Sequence, residues 1–254
     1  MWIEINDVAT TANGGFPIDV SIKQLPAVEV KTIDLPGGEP GDASLRLQVF
    51  SIDVKLSIEP DTYNTASFVT AANAVIRQFY PDLNENAGYK KFRYSDEPSK
   101  CIYARVESGF KVPQAWPISE SNQAEIDISL TTRTHYWLSN TATTGTIAAG
   151  AATGSVSNDG DLNTQYAMTA TFTGAVTAFS ITANSLAITV TGNYGTATTA
   201  TIDTETKEIK VNGNYIAAGG FSGDFPNCPT GTQTITKTSA NVALAYSITK
   251  RYRS

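Results

Sequence analysis

His135 is the only histidine in the chain, so any relay of the Ser-His or Cys-His kind has to pass through it. It stands between Thr134 and Tyr136 at the end of a predicted strand. No G-x-S-x-G elbow, Walker A loop or G-x-G-x-x-G fingerprint occurs anywhere in the chain. Such a histidine reads as structural, placed near a domain junction. Asp96 and Glu97 offer a second chemistry, the paired carboxylates of glycoside hydrolysis, which must face each other across the bond they break. Neighbours on a strand point to opposite faces. With Ser95 before them and Pro98 after, the pair reads as a turn in which Ser95 or Asp96 bonds nearby backbone amides.

A third group lies in "SNDGDLN", residues 157–163, where Asn158, Asp159, Asp161 and Asn163 surround Gly160. These are the hard oxygen donors that calcium takes, but the EF-hand spacing needs a further acid and flanking helices, so a solvated turn is the stronger reading. Trp116, Tyr194 and Tyr215 have rings that could stack on a sugar, yet scattered singly they read as core or interface. Cys101 and Cys228 are far apart and read as small buried hydrophobes, not a disulfide framework or a metal site. The reading is therefore a non-enzyme with no catalytic, cofactor-binding or metal-binding residue, built to assemble.

The elements that would carry these residues are mostly strands. "RLQVFSIDVKLSI" alternates, with Leu45, Leu47 and Val49 on one face and Phe50, Ile52, Val54, Leu56 and Ile58 on the other. That one-residue slip between 49 and 50 predicts a bulge or a strand changing sheets. The one helix starts at Pro60, Asp61 and Thr62, repeats Phe68, Ala72, Val75, Ile76 and Phe79 at helical spacing, and stops at Pro81. Strands follow around Lys90–Tyr94, Ile102–Glu107 and Ile126–Thr132. After "THYWLSN" the composition changes to a Thr/Ala/Gly stretch that cannot bury enough apolar area to hold itself in a core.

Beyond it run short strands rich in Thr, Val and Ile, with Asn212-Gly213 predicting a type I′ hairpin and Val242, Leu244, Tyr246 and Ile248 sharing one face. The expected organisation is a β-rich α+β domain over 1–138, a linker over 139–161 and an all-β sandwich over 162–254: mainly β overall.

Net charge is −6 over 254 residues, and residues 139–254 hold 6 acids and 6 bases, so all the excess acid lies before them. An acidic chain without clustered Lys and Arg argues against sequence-specific nucleic-acid binding or an anionic membrane surface. No apolar stretch approaches a bilayer span. The opening "MWIEINDVATT" has acids where a secretion signal needs bases, so none is read there.

Three stretches together resemble the distal tail proteins of long-tailed (siphovirus-type) bacteriophages. The first is "LPAVEVKTIDLPGGEPGD", followed by the alternating strand and a helix carrying "ANAVIRQFY". The second is "FRYSDEPSKCIYARVES", leading on to "AEIDISLTTRTHYWL". The third is "TIDTETKEIKVNGNYI", then "GDFPNCPTGTQTITKTSANVALAYSITKRYRS". Their order and spacing cover nearly the whole chain apart from the Thr/Ala/Gly stretch.

The resemblance implies a hexameric ring at the tip of a virion tail, its first domains forming the hub and its galectin-like second domains projecting outward. It implies a tail tube protein and a baseplate hub or receptor-binding protein as partners, assembly in the host cytoplasm, and a channel whose acidic wall lets DNA pass. The alternative is an adhesin whose second domain holds a host-surface saccharide.

Overall fold

A computed structural model describes residues 1–13, 15–23, 28–34, 40–47, 51–59, 65–80, 88–107, 124–216 and 219–253. The fold is mainly β, with one α-helix and several sheets among these residues. It divides into two compact units, Met1–Trp137 and Leu138–Arg253.

The first unit is built on an antiparallel sheet in the order Val8–Ala9, Ile3–Ile5, Lys90–Tyr94, Lys100–Val106, Ala124–Thr132, Ser51–Ile58 and Gly15–Lys23. Period-two alternation puts Ile52, Val54, Leu56 and Ile58 on one face, opposite Leu130, Ile128, Ile126 and Ala124. Ile52, Val54, Leu56 and Ile58, with Ile126, Ile128 and Leu130, are all buried.

The helix Thr65–Phe79 lies against this unit. Its buried Phe68, Ala72, Val75 and Phe79 recur at the expected helical spacing, while Ile76 is only half-buried. Gly15 lets Val75 approach closely, since a Cβ there would lie 2.8 Å from Val75 Cγ2. The last turn of the helix is tied down by Lys90 Nζ, which donates to the Gln78 carbonyl at 2.8 Å, and by Gln78 Nε2, which donates to the Val8 carbonyl at 2.6 Å. The start signal at 60–62 and the stop at Pro81 lie outside the described residues.

Among the described residues, Val28–Asp34 and Pro40–Leu47 pair with each other as a separate two-stranded ribbon. Pro40–Leu47 belongs to the ribbon and Ser51–Ile58 to the main sheet. The slip itself, between 49 and 50, falls outside the described residues.

The second unit is a sandwich. One sheet runs Thr143–Ile147, Val242–Ile248, Thr164–Phe172, Thr199–Asp203, Glu208–Val211 and Asn214–Tyr215, with Asn227–Cys228 on Thr164–Phe172. The other runs Thr153–Asn158, Gly231–Lys237, Val176–Ala183, Leu186–Tyr194 and Phe221–Gly223. Both inner faces contribute to one core, in which Phe172 meets Phe179 edge-on at 5.3 Å and Tyr194 at 5.1 Å. Asn212 and Gly213 both take positive φ, 47° and 81°, which closes the expected hairpin.

One expectation is corrected. The stretch 139–161, read as a linker, contains two strands, Thr143–Ile147 and Thr153–Asn158, at one edge of each sheet. Its lack of bulk is complementary to Tyr246, which is buried between the sheets and donates to the Ser155 carbonyl at 2.9 Å. A Cβ at Gly145 would lie 2.5 Å from the Tyr246 ring, and one at Gly154 would lie 2.8 Å from its hydroxyl. Small residues are needed where a large neighbour already fills the space. Ile147 and Val156 add the apolar contacts that hold the two edges down.

Candidate functional site

The turn 95–99 joins Lys90–Tyr94 to Lys100–Val106 as a hairpin. Glu97 N–H donates to the Tyr94 carbonyl at 3.3 Å and Lys100 N–H to the Glu97 carbonyl at 3.0 Å. Ser95 Oγ bonds Asp96 Oδ1 at 2.9 Å, and Lys100 pairs with Glu97 at 3.1 Å. Both carboxylates lie at the corner that the sequence suggested, with Ser95 and Asp96 bonding each other where bonds to backbone amides were expected. His135 occupies the bend between Ala124–Thr132 and Tyr136–Ser139, its ring edge-on to Tyr136 at 5.0 Å.

The oxygen-rich turn at 158–163 directs its side chains to the chain's own donors and carbonyls. Buried Asn158 donates to the Leu162 and Cys228 carbonyls at 3.1 and 3.0 Å and accepts from Gly160 N–H. Asp161 accepts from Arg253 N–H at 3.0 Å. Asp159 pairs with Lys250, whose hydrogen bond holds its carboxyl below the usual range. The turn therefore clamps the strand Arg251–Arg253.

Cys101 and Cys228 fall in different units, and both are buried. Burial pushes both thiols up, away from the thiolate that reacts. A maleimide probe is accordingly expected to label neither cysteine in the native chain and both in denaturant; rapid native labelling would contradict the packing.

Tyr194 is half-buried and packs against the core on Phe172. Trp116 lies outside the described residues. Tyr215 stands exposed on the outer face of a sheet, its hydroxyl donating to Glu208 Oε1 at 3.1 Å. Lys210 Nζ bonds Glu208 Oε2 at 3.1 Å and lies 4.4 Å from the Tyr215 ring centroid. Lys210 holds the Glu208 carboxyl below its usual range, while Tyr215 and then Glu208 push the Lys210 ammonium up.

In the first unit, the sheet face away from Ile52, Val54 and Leu56 is carboxylate-rich. Register places Asp19 opposite Lys55, Lys55 opposite Asp127, Ser57 opposite Glu125 and Asp53 opposite Ser129. Lys55 Nζ meets Glu125 Oε2 at 2.5 Å, and its ammonium is raised first by that hydrogen bond, with Asp127 and Asp19 adding to it. Alternation in the sequence implied two faces for these strands. Which acids gather around Lys55 depends on pairing between segments far apart in the chain.

Among the described residues, the candidate groups are not brought together as a reacting pair. It presents faces and edges. Residues 159–252 match the family model described as "Siphovirus-type tail component, C-terminal domain". Those residues are similar to that family's C-terminal domain. The distal tail family is thus the one the sequence resemblance named.

Among solved structures, the chain is similar to the SPP1 Dit protein, described as a paradigm of hub adsorption apparatus in phages infecting Gram-positive hosts. Identity is 13%, TM-score 0.72, and coverage 99% of this chain and 98% of that one, a likeness of fold over nearly the full length. A chain of the phage p2 baseplate in its activated conformation with Sr matches at 10% identity and TM-score 0.42, covering 91% of this chain and 90% of that one. No curated protein matches the sequence. The chain has the fold of a distal tail hub protein, and its second unit matches a tail-component domain.

Proposed function

We propose that this chain is the structural hub of a tail tip: a hexameric ring that joins the tail tube to the host-adsorption apparatus and lets DNA pass. The observation carrying this reading is a hub protein's fold followed over 99% of the chain, together with the tail-component match in its second unit. Its partners are then further copies of itself, a tube protein on one side, and a baseplate or receptor-binding protein on the other. The role is architectural and not enzymatic, and assembly takes place in the host cytoplasm before the virion is released.

Two features of the first unit support a ring. The strand Gly15–Lys23 ends the path of the main sheet, and Phe16 and Ile18 on it are 40% and 45% exposed. A strand at the sheet's edge among the described residues, with exposed apolar side chains, favours pairing with another copy, and a head-to-tail contact that closes gives a ring. The carboxylates around Lys55 suit a lumen, because like charge keeps a passing duplex from sticking.

A virion reconstruction is the test. Density for this chain as a six-fold ring at the host-facing end of the tail is expected; placement elsewhere on the virion overturns the proposal. For passage, Asp53→Lys with Asp127→Lys is expected to leave ring assembly intact and slow DNA ejection. Unchanged ejection would remove the lumen assignment.

A further inference from the structure

The first unit has a groove of about 320 Å³ beside the helix Thr65–Phe79. Ile5, Val8 and Ala74 give it an apolar lining, and Val8 is 46% exposed. Most polar groups around it are already committed. Asn6 Oδ1 accepts from Lys91 N–H at 2.9 Å, Asn13 Nδ2 donates to Gln78 Oε1 at 3.0 Å, and Lys90 and Gln78 make the bonds given above. Nearby Asp7 pairs with Lys91 at 3.0 Å. Arg77 is the exception. It lines the groove, is exposed, and makes no hydrogen bond or ion pair among the described residues. No carboxylate among the described residues lines the groove.

Groups that complement this groove stand on the strand Gly15–Lys23 of the same unit, at the edge of the main sheet among the described residues. A register shift between Pro17 and Asp19 leaves Ile18 as an extra residue, and a bulge of this kind re-aims the side chains around it. Phe16 and Ile18 are exposed, and exposed Asp19 follows them. Asp19 lies opposite Lys55, but Lys55 gives its hydrogen bond to Glu125. The Asp19 carboxylate makes no hydrogen bond or ion pair among the described residues. None of these three residues lines the groove of its own chain. One surface thus joins apolar side chains to an unmatched carboxylate, and the other joins an apolar lining to an unmatched guanidinium.

From this complementarity we infer that the groove of one copy receives Phe16 and Ile18 of the next, with Asp19 pairing with Arg77 at its rim. The inference rests on the ring reading above and adds which two surfaces meet. Large apolar anchors seated in a pocket supply most of the energy of such a contact. The carboxylate–guanidinium pair fixes the register and excludes the reversed orientation. Strand and groove are different surfaces, so the contact is head-to-tail and repeats from copy to copy until it closes. A second copy is a better occupant than another protein, because one contact then covers both surfaces. A different partner in the groove would leave Phe16, Ile18 and Asp19 uncovered.

Crosslinking of the full-length chain, purified and in virions, tests this with Ile18→Cys and Ala74→Cys combined. Both native cysteines are buried, so a short bismaleimide reads only the two new thiols. The double variant is expected to give a ladder of multimers, and neither single variant should. Adding Asp19→Lys or Arg77→Glu to the double variant should cut linking about tenfold, because like charges then meet at the rim. Adding both exchanges the charges and should restore linking, which a variant that merely failed to fold could not do. The inference is overturned if the double variant links in neither setting, if linking stops at dimers, or if it ignores the charge exchanges. A six-fold ring at the tail tip without this linking leaves the hub reading standing and moves the contact elsewhere. A ladder from a chain placed elsewhere in the virion keeps the contact and removes the hub.

Discussion

Deleting residues 139–158 is expected to abolish the cooperative unfolding of the second unit while the first unit keeps its own. A linker could be shortened with little loss, since loop-closure entropy changes slowly with length. This segment instead supplies Thr143–Ile147 beside Val242–Ile248 and Thr153–Asn158 beside Gly231–Lys237. Its removal takes Ile147 and Val156 out of the core, a loss of about 1.5–3 kcal/mol each, and uncovers the side chains they shield. It also strips one of two partners from Val242–Ile248 and from Gly231–Lys237 and opens the seat of Tyr246. The sum approaches the roughly 5–15 kcal/mol by which a typical domain is stable at all. Scanning calorimetry of the deleted full chain should show one transition lost. Two transitions at unchanged temperatures would return the segment to the status of a tether.

Gly145→Val should destabilise the second unit by about 1–3 kcal/mol, the ordinary cost of overpacking, even though valine suits a strand better than glycine. The cause is local and directional, because the new Cβ would fall 2.5 Å from the Tyr246 ring. Tyr246→Ala alone should cost about 3–5 kcal/mol, by analogy with large aromatic truncations in cores. In the Tyr246→Ala background the clash is gone and valine fills part of the cavity. The double variant should then be more stable than the sum of the two losses, by about 1–3 kcal/mol. Urea unfolding of the four chains measures this. Strict additivity would mean that Gly145 is small for some reason other than Tyr246.

Both expectations concern a stretch whose sequence looked featureless, and it marks where sequence reading stopped. "TTGTI" and "TGSVSN" do alternate, with Ile147 and Val156 as the only bulky members. That is too little apolar area to signal a strand unless Tyr246 is known to lie over the glycines. The strand Val176–Ala183 was not anticipated either. Its inward Val176, Phe179, Ile181 and Ala183 break phase at a register shift between Val176 and Ala178, so alternation fails where it would have been recognised. The turn at Asp96 and Glu97 was legible because Ser, Asp and Pro, residues that favour turns, cluster within four positions. The role of Asp159 and Asp161 was not, because Lys250 and Arg253 lie about ninety residues away in sequence.

The sequence by itself determined the mainly β class, the face of the helix set by Phe68, Ala72, Val75 and Phe79, the strand faces of 51–58 and 242–248, and the Asn212-Gly213 hairpin. Each is written in a period or a dihedral preference that a short segment carries alone. Tertiary structure decided which strands became neighbours. It gave 143–158 to the sandwich edges, gathered acids around Lys55, and aligned Thr146, Ala245, Thr169, Thr201, Lys210 and Tyr215 in one row. Strand pairing is a contest among distant segments for hydrogen bonds and burial, and its outcome depends on the size of side chains the local sequence does not contain.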